Sequence, residues 1–256
     1  MIHPTALVAS GARLGRDVRI GPFSIVHANV ELGDRCEIGS HCEIGHPTAR
    51  AEGRPLVLGP GALIRSHSVF YEGSTFGPGL VTGHQVTVRE GTIAGERLQI
   101  GTLGDVQGTC RIGNHVRFHS NVQVNHRTTI GDFVWLFPHV VLANDPHPPS
   151  ELLQGVTLED FVAVAAMSLV LPGITVKRGA LVGAHSTVTR DVEPDTVVVG
   201  SPARVLGPTQ AIRLRDGSGR PAYPWRRHFS RGYPDDLVRA WLDEFGAGRI
   251  DDPLLD

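Results

Sequence analysis

Residue types that often signal function are scarce in this 256-residue chain. It contains three cysteines, two methionines and three tryptophans, and aromatic residues account for 6% of the sequence. Its 24 basic and 26 acidic residues give a formal net charge of −2, with no sign of the concentrated basic face that nucleic-acid binding requires. The core must therefore be built mainly from aliphatic side chains.

Long apolar segments are missing as well. No run of apolar residues in the sequence is long enough to span a bilayer. The first residues, MIHPTALV, have neither the basic start nor the apolar segment of a signal peptide. We therefore predict a soluble cytoplasmic protein.

Glycine is abundant, with 31 residues, and large apolar residues recur at every sixth position. In the central segment this step meets Ile100, Val106, Ile112, Phe118, Val124, Ile130, Leu136 and Leu142. A period of six fits neither a helix nor a simple strand. Hexapeptide repeats of this kind indicate a β-helix, a solenoid in which each flat side takes one repeat.

The same phase runs through most of the chain and predicts its organisation. It is interrupted at residues 46–55 and 146–155, which we expect to loop out of a corner, and it stops after residue 207. At about three repeats per coil, on the order of ten coils follow. We predict an all-β parallel β-helix domain over residues 1–207 and a C-terminal extension over residues 208–256.

The extension contains one predicted helix, PDDLVRAWLDEF, at residues 234–245. Its apolar stripe consists of Leu237, Val238, Trp241, Leu242 and Phe245. We expect this helix to cap the open end of the solenoid; a dedicated partner-binding helix is the alternative. The preceding Trp225, Arg226 and Arg227 could instead hold a nucleotide or a pantetheine phosphate.

The cysteines are predicted to be structural. Cys36, Cys42 and Cys110 each occupy the small inward position of a repeat. A buried, inert thiol therefore fits better than a disulfide, a metal ligand or a nucleophile.

The repeat resembles that of the left-handed β-helix hexapeptide acyltransferases over residues 2–206. The similar segments include IGDFVWLFPHVVLAND, LPGITVKRGALVGAHSTVTRDV and VVVGSPARVL. The resemblance implies a left-handed coil and a homotrimer with active sites between neighbouring helices. It also implies acyl transfer from a thioester, acetyl-CoA or another acyl-CoA, without a metal.

Stacking brings distant residues together. If a coil has eighteen residues, positions eighteen apart lie one strand spacing apart. One such outward column consists of Glu72, Glu90, Gly108, His126 and Asn144. The glycine leaves space beside the histidine ring, and Asn144 is close enough to share a ligand. Acyl transfer needs a base and hydrogen-bond donors near the oxyanion, which this pair can supply.

By resemblance, NHRTTIG matches the catalytic-histidine segment of the family, usually His-Asp-x-x-[IV]-Gly. His126 falls on the catalytic histidine, while Arg127 replaces the usual aspartate. The resemblance implies that His126 is the general base, and we expect Asn144 to stabilise the oxyanion.

Further site residues are implied by resemblance to the nucleotide-sugar N-acyltransferases of this fold. The segments expected to hold the sugar contain His84, Arg89 and Asn121. Asp145 lies in an AND-x-x-P segment similar to a substrate-covering loop; the alternative is that it simply starts the turn before Pro146. The segments expected to lie along the pantetheine of CoA contain Ala165, Ser168, Gly183 and Ser186.

These features predict an acyltransferase that moves an acetyl or short acyl group from acyl-CoA to the amine of a nucleotide-linked amino sugar. The alternative is an O-acyltransferase resembling the lipid A enzymes, which uses acyl carrier protein and a sugar hydroxyl. An acidic carrier needs a basic docking face. Such a face could be formed by Arg213, Arg215, Arg220, Arg226, Arg227, Arg231 and Arg239.

Two other classes of function remain. The same fold hosts zinc carbonic anhydrases, and His115, His119 and His126 would be the candidate ligands here. Their spacing differs from that of the zinc enzymes, so we predict no metal site. A non-catalytic scaffold is the remaining possibility.

Overall fold

A computed structural model describes residues 1–227, 229–230 and 232–245. These residues form a left-handed parallel β-helix of about 11 turns, followed by an extension with one α-helix. The fold predicted from the six-residue period is confirmed. Among the described helices, none combines the length and the apolar character needed to cross a membrane.

Each coil adds one short strand to each of three sheets, so the rod has three flat sides. The strands of sheet 1 are Leu7–Val8, Ile25–Val26, Glu43–His46, Val69–Tyr71, Thr87–Val88, Asp105–Val106, Gln123–Val124, Val141–Leu142, Leu169–Val170 and Thr187–Val188. The strands of sheet 2 are Arg13–Leu14, Val30–Leu32, Leu56–Leu58, Thr75–Phe76, Ile93–Ala94, Arg111–Ile112, Thr129–Ile130, Thr157–Leu158 and Thr175–Val176. The strands of sheet 3 are Arg19–Ile20, Glu37–Ile38, Leu63–Ile64, Val81–Thr82, Gln99–Ile100, Arg117–Phe118, Trp135–Leu136, Ala163–Val164, Leu181–Val182, Thr196–Val199 and Arg204–Pro208.

The chain turns three corners per coil. We call the turn after a sheet 1 strand the first corner, the turn after a sheet 2 strand the second corner, and the turn after a sheet 3 strand the third corner. Both interruptions of the period, residues 46–55 and 146–155, leave the rod at the first corner. The first loop contains the short 3₁₀ helix Ala49–Ala51. Two more 3₁₀ helices, Thr209–Ala211 and Trp225–Arg227, lie in the extension.

The repeated apolar residues fill the inside of the rod. Those from Ile20 to Val188 are almost all buried in one continuous cluster, whereas Ile2 at the open end remains 46% exposed. The three cysteines are free and buried, as predicted. Burial raises the pKa of each thiol, and that of Cys110 to about 11. The thiols therefore stay protonated and inert near neutral pH.

Corner glycines are explained by the close approach of the next coil. A Cβ added to Gly101, which follows Ile100, would lie 2.4 Å from the carbonyl carbon of His119. Left-handed backbone conformations occur two residues later in the repeat, at non-glycine residues such as Leu103 with φ 59°. Tight stacking of coils therefore restricts the second position of the repeat.

The C-terminal edge of sheet 3 is covered by a strand, not by the predicted helix. Strand Arg204–Pro208 turns back and pairs antiparallel with Thr196–Val199. The α-helix Asp235–Phe245, here called α1, lies instead on the side of the rod, where Trp241 packs against Phe133 and Phe161 of the second corner. The prediction that this helix caps the open end is therefore wrong. The apolar stripe of α1 packs against outward-facing aromatic rings on the second corner.

Candidate functional site

The first corner carries the predicted polar column. In the parallel sheet, Val88 pairs with Val106, Val106 with Val124, and Val124 with Leu142. The residues two positions after each of these therefore also stack from one coil to the next. The column lies between the two loops that leave this corner. His126 and Asn144 therefore occupy the same wall in adjacent coils, which are about 4.8 Å apart.

The ring of His126 is held by the backbone of the preceding coil. Its Nδ1 atom lies 2.9 Å from the carbonyl oxygen of Gln107. A carbonyl oxygen can only accept a hydrogen bond, so Nδ1 carries the proton of the neutral ring and Nε2 keeps a lone pair. His126 is half-buried, which leaves the ring edge partly accessible. This arrangement suits a general base.

Arg127, which stands where the family pattern has aspartate, contacts the second loop. Its Nη1 atom donates a 3.0 Å hydrogen bond to the carbonyl oxygen of Leu153, in the second loop. Gly155 passes so close to Arg127 that an added Cβ would lie 1.8 Å from the Arg127 carbonyl oxygen. The residue that replaces the usual aspartate therefore fastens the second loop beside His126.

Asn144 and Asp145 lie where the second loop leaves the β-helix. The carbonyl oxygen of Asn144 accepts a 2.8 Å hydrogen bond from the amide of Gln154. The Asp145 carboxylate accepts hydrogen bonds from the Ser150 hydroxyl and from the amides of Ser150 and His147. These bonds, chiefly that from the Ser150 hydroxyl, lower the pKa of Asp145. In this structure Asp145 thus shapes the turn, as in the simpler interpretation of the sequence.

Arg89 lies on the first corner two coils before His126. Its Nη2 atom is 3.2 Å from Oε1 of Glu90, and its guanidinium carbon is 5.8 Å from the centre of the Tyr71 ring. Arg50 of the first loop also approaches Oε1 of Glu90, at 3.8 Å. Glu90, only 3% exposed, therefore contacts two cationic side chains. Its place in the column was visible in the sequence, but its burial was not.

The first loop is anchored to the same corner by acidic residues. Oε1 of Glu43 accepts hydrogen bonds from His27 Nε2 at 2.9 Å and His46 Nδ1 at 2.8 Å. Burial raises the pKa of Glu43, but the hydrogen bonds from His46 and His27 outweigh this and hold the pKa below its ordinary value. Glu72 accepts hydrogen bonds from Asn29 Nδ2 and from the amide of Thr48, each at 3.1 Å.

Two of the predicted sugar-binding residues lie on another corner. His84 is exposed on the third corner, where its Nδ1 atom is 2.8 Å from the Ser66 hydroxyl. Asn121 also lies on the third corner, with a left-handed φ of 59°. Within one chain, neither His84 nor Asn121 joins His126 and Arg89.

The predicted pantetheine-binding residues divide into two pairs. Ala165 and Gly183 lie on the third corner and are partly exposed. Ser168 and Ser186 are each 1% exposed. The Ser168 hydroxyl donates to the Gly183 carbonyl at 2.9 Å, and the Ser186 hydroxyl accepts from the Gly200 amide at 3.0 Å. The two serine hydroxyls face the core, so their predicted contact with a surface ligand does not fit this structure.

The three histidines considered as zinc ligands lie on three different corners. His115, on the second corner, is 3.1 Å from Glu96 Oε1 and stacks on Phe133. His119, on the third corner, stacks on Phe137. Burial lowers the pKa of both rings. Across the residues that the structure describes, no group of three or more histidine, cysteine or acidic side chains is placed to hold a metal ion.

The arginines of the extension form a smaller basic surface than predicted. Arg226 is buried, with its guanidinium carbon 3.7 Å from the centre of the Phe161 ring. Burial lowers its pKa to about 10. Arg227 donates to the Phe245 carbonyl, and Arg220 pairs with Asp216. These internal contacts, and the packing of Trp225 in the same cluster, do not suit a phosphate site.

Among the described arginines of this set, three are exposed: Arg213, Arg215 and Arg239. Arg231 lies outside the described residues.

Comparison with known proteins places the chain among transferases. The family described as bacterial transferase hexapeptide (six repeats) matches residues 1–46. The chain is 31% identical over 220 residues, covering 86% of this chain and 75% of the relative, to the acyl-[acyl-carrier-protein]–UDP-N-acetylglucosamine O-acyltransferase of Sinorhizobium fredii (strain NBRC 101917 / NGR234). It is 40% identical over 88 residues, covering 34% of this chain and 35% of the relative, to the 2,3,4,5-tetrahydropyridine-2,6-dicarboxylate N-acetyltransferase of Staphylococcus aureus (strain bovine RF122 / ET3-1).

Among solved structures, the Arabidopsis UDP-N-acetylglucosamine acyltransferase has a similar fold. Its TM-score is 0.70 at 20% sequence identity, and the match covers 95% of this chain and 88% of that chain. At this identity the match supports the fold alone.

Proposed function

Because this chain belongs to the family of left-handed β-helix hexapeptide-repeat acyltransferases, we propose that it transfers an acyl group from a carrier-bound thioester to a hydroxyl of a nucleotide-linked sugar. The observation that carries this proposal is the hydrogen bond from His126 Nδ1 to the Gln107 carbonyl, which leaves Nε2 as a base at the corner between two loops. The acceptor binds along this corner, with Arg89 among its contacts.

The chemistry follows from this geometry. Nε2 of His126 removes the proton from the attacking hydroxyl as its oxygen bonds to the thioester carbon. The carbonyl oxygen becomes negatively charged, and Asn144 or a backbone amide donates a hydrogen bond to it. The carbon–sulfur bond then breaks, and the imidazolium returns its proton to the departing thiolate.

We favour a hydroxyl acceptor and an acyl carrier protein donor, the alternative in the sequence analysis, over the amine and acyl-CoA. The relative that is similar over most of this chain is named as an O-acyltransferase that uses acyl carrier protein and UDP-N-acetylglucosamine. The exposed arginines of the extension suit an acidic carrier.

N-acylation from acyl-CoA is the second candidate. It is favoured by the AND-x-x-P segment that contains Asp145 and by the shorter match to an N-acetyltransferase. A neutral amine needs little help from a base, so the bare imidazole of His126 also suits that reaction.

The proposal includes the homotrimer that the resemblance implies. Light scattering of the purified protein should then give roughly three times the 27.5 kDa chain mass. A monomer would contradict the homotrimer.

Product analysis tests the function. The wild-type protein is incubated with acyl carrier protein loaded with acyl groups, or with acetyl-CoA, and with UDP-N-acetylglucosamine or UDP- and dTDP-linked amino sugars. We expect mass spectrometry to detect an acylated UDP-sugar, and the sugar to raise the melting temperature of the protein. Alkaline hydroxylamine cleaves an oxygen ester but leaves an amide intact, which separates the two candidates. Folded protein that forms no acylated product with any of these pairs would overturn the proposal.

A further inference from the structure

Glu90 is an almost fully enclosed acid with an unused oxygen. The residue is 3% exposed, and its Oε1 atom faces the guanidinium groups of Arg89 and Arg50. Its Oε2 atom is buried and, within the described part of the chain, has no hydrogen-bond partner. A buried carboxylate oxygen without a donor is costly, so such an atom points to a donor supplied from outside the chain.

The position of Glu90 relates it to the candidate base. It stands in the column of His126, two coils earlier, so the two backbone positions are about 10 Å apart. The residue between them is Gly108, which has no side chain. Gly108 has φ +95°, and a Cβ there would lie 2.4 Å from the Glu90 carbonyl oxygen. The backbone therefore requires a residue without a side chain at this position, and the spacing of about 10 Å between the backbone positions of Glu90 and His126 suits a single sugar ring.

A second unused acceptor lies on the coil between them. Oδ2 of Asp105 accepts a hydrogen bond from Gln107 Nε2, whereas Oδ1 is buried without a partner among the described residues. The other acids of this corner differ, since Glu43 and Glu72 receive hydrogen bonds from side chains and the backbone of the protein. Beside these two acceptors, Nε of Arg89 is a buried donor that also has no partner among the described residues. A ligand that both donates and accepts hydrogen bonds would satisfy all three atoms. Hydroxyl groups do both, whereas phosphate oxygens have no proton to donate to the two acceptors.

We propose that Glu90, assisted by Asp105, binds hydroxyl groups of the acceptor's sugar ring and so orients the ring towards His126. This inference rests on the proposed function and adds the residues that select the sugar. The Arg50 side chain is 68% exposed and belongs to the first loop, so it can leave Glu90 without disturbing a coil. Glu90 acts as a binding residue and takes no part in proton transfer.

The test compares Glu90→Gln with wild type. Glutamine keeps the size of the side chain but replaces one acceptor oxygen by a donor. We expect the KM for UDP-N-acetylglucosamine to rise about tenfold or more, because a hydrogen bond to a charged group is lost. The KM for the acyl donor and the melting temperature should stay near their wild-type values. Glu31→Gln, at an exposed ion pair with Arg13 on sheet 2, is the matched control and should behave as wild type.

Calorimetry locates the contact within the acceptor. Glu90→Gln should weaken binding of UDP-N-acetylglucosamine and leave binding of UDP unchanged, and Asp105→Asn should act in the same direction. Equal loss for both ligands, or variants of both residues with wild-type KM for the sugar nucleotide, would overturn the assignment while the proposed function stands. A wild-type protein that neither binds nor acylates the sugar nucleotide would instead overturn the proposed function, and this assignment with it.

Discussion

The Nδ1 atom of His126 lies 2.9 Å from the carbonyl oxygen of Gln107, in the preceding coil. The neutral ring must therefore carry its proton on Nδ1 and not on Nε2. Nitrogen NMR of protein labelled at histidine should show this tautomer for the neutral ring. His126→Ala identifies the signal among those of the 13 histidines. A proton on Nε2 would contradict the assignment of that atom as the base.

The second loop should depend on a glycine. A Cβ at position 155 would lie 1.8 Å from the Arg127 carbonyl oxygen, which belongs to the backbone and cannot move away cheaply. We expect Gly155→Ala to lower the free energy of unfolding by about 1–3 kcal/mol in urea titrations. Gly53→Ala is the control in the first loop, where the space is open but φ is +75°. That change should cost about 1 kcal/mol. If Gly155→Ala is the milder of the two, the close passage of the loop is refuted.

The cysteines should be unreactive in the folded protein. Burial raises the pKa of Cys110 to about 11 and also raises those of Cys36 and Cys42. A thiol reagent at about pH 8 should modify none of the three in native protein and all three in guanidinium, because the thiolate is the reactive form. Rapid modification of native protein would mean that the thiols are not in the core.

The raised pKa values of the buried thiols also predict how the stability of the protein changes with pH. The unfolded thiols ionise near 9.0 while the buried ones stay protonated, so the unfolded state gains charge first. Stability should therefore fall as the pH rises above that value. Serine variants of the three cysteines should lose this part of the pH dependence.

The extension should detach when its central ring is removed. Trp241 is 3% exposed, with ring centres 5.1 Å from Phe133, 4.9 Å from Tyr233 and 5.5 Å from Trp225. Trp241→Ala should weaken docking of α1 by about 3–5 kcal/mol. Limited proteolysis should then remove the extension and leave the β-helix intact. Leu242→Ala, outside this aromatic cluster, is the control, and equal resistance of Trp241→Ala and wild type would contradict the packing.

The β-helix could be predicted because its sequence pattern is local and repeats in every coil. Each coil reuses the same inward positions, so the period alone predicts the buried residues, both corner loops and the stacking of His126 beneath Asn144. The same rule applied to Ser168 and Ser186 places them at the inward position that Cys110 occupies. Their burial follows from the period, even though family resemblance suggested a ligand contact.

Other features depend on contacts that no period encodes. The place of α1 is set by outward aromatic residues such as Phe133 and Phe161, which are far apart in sequence from Trp241. The orientation of His126 is set by a backbone carbonyl, which is independent of the Gln107 side chain. Glu90 also contacts Arg50 of the first loop, and loop conformation is not periodic.

The most direct test of the central claim is the rate of acyl transfer by wild type and His126→Ala under identical conditions. With acyl carrier protein as donor and UDP-N-acetylglucosamine as acceptor, we expect the substitution to lower kcat by about 10²–10⁴-fold, the usual contribution of a general base. Acceptor binding and the melting temperature should be preserved. An alanine variant that turns over as fast as wild type would contradict the assignment of His126 as the base.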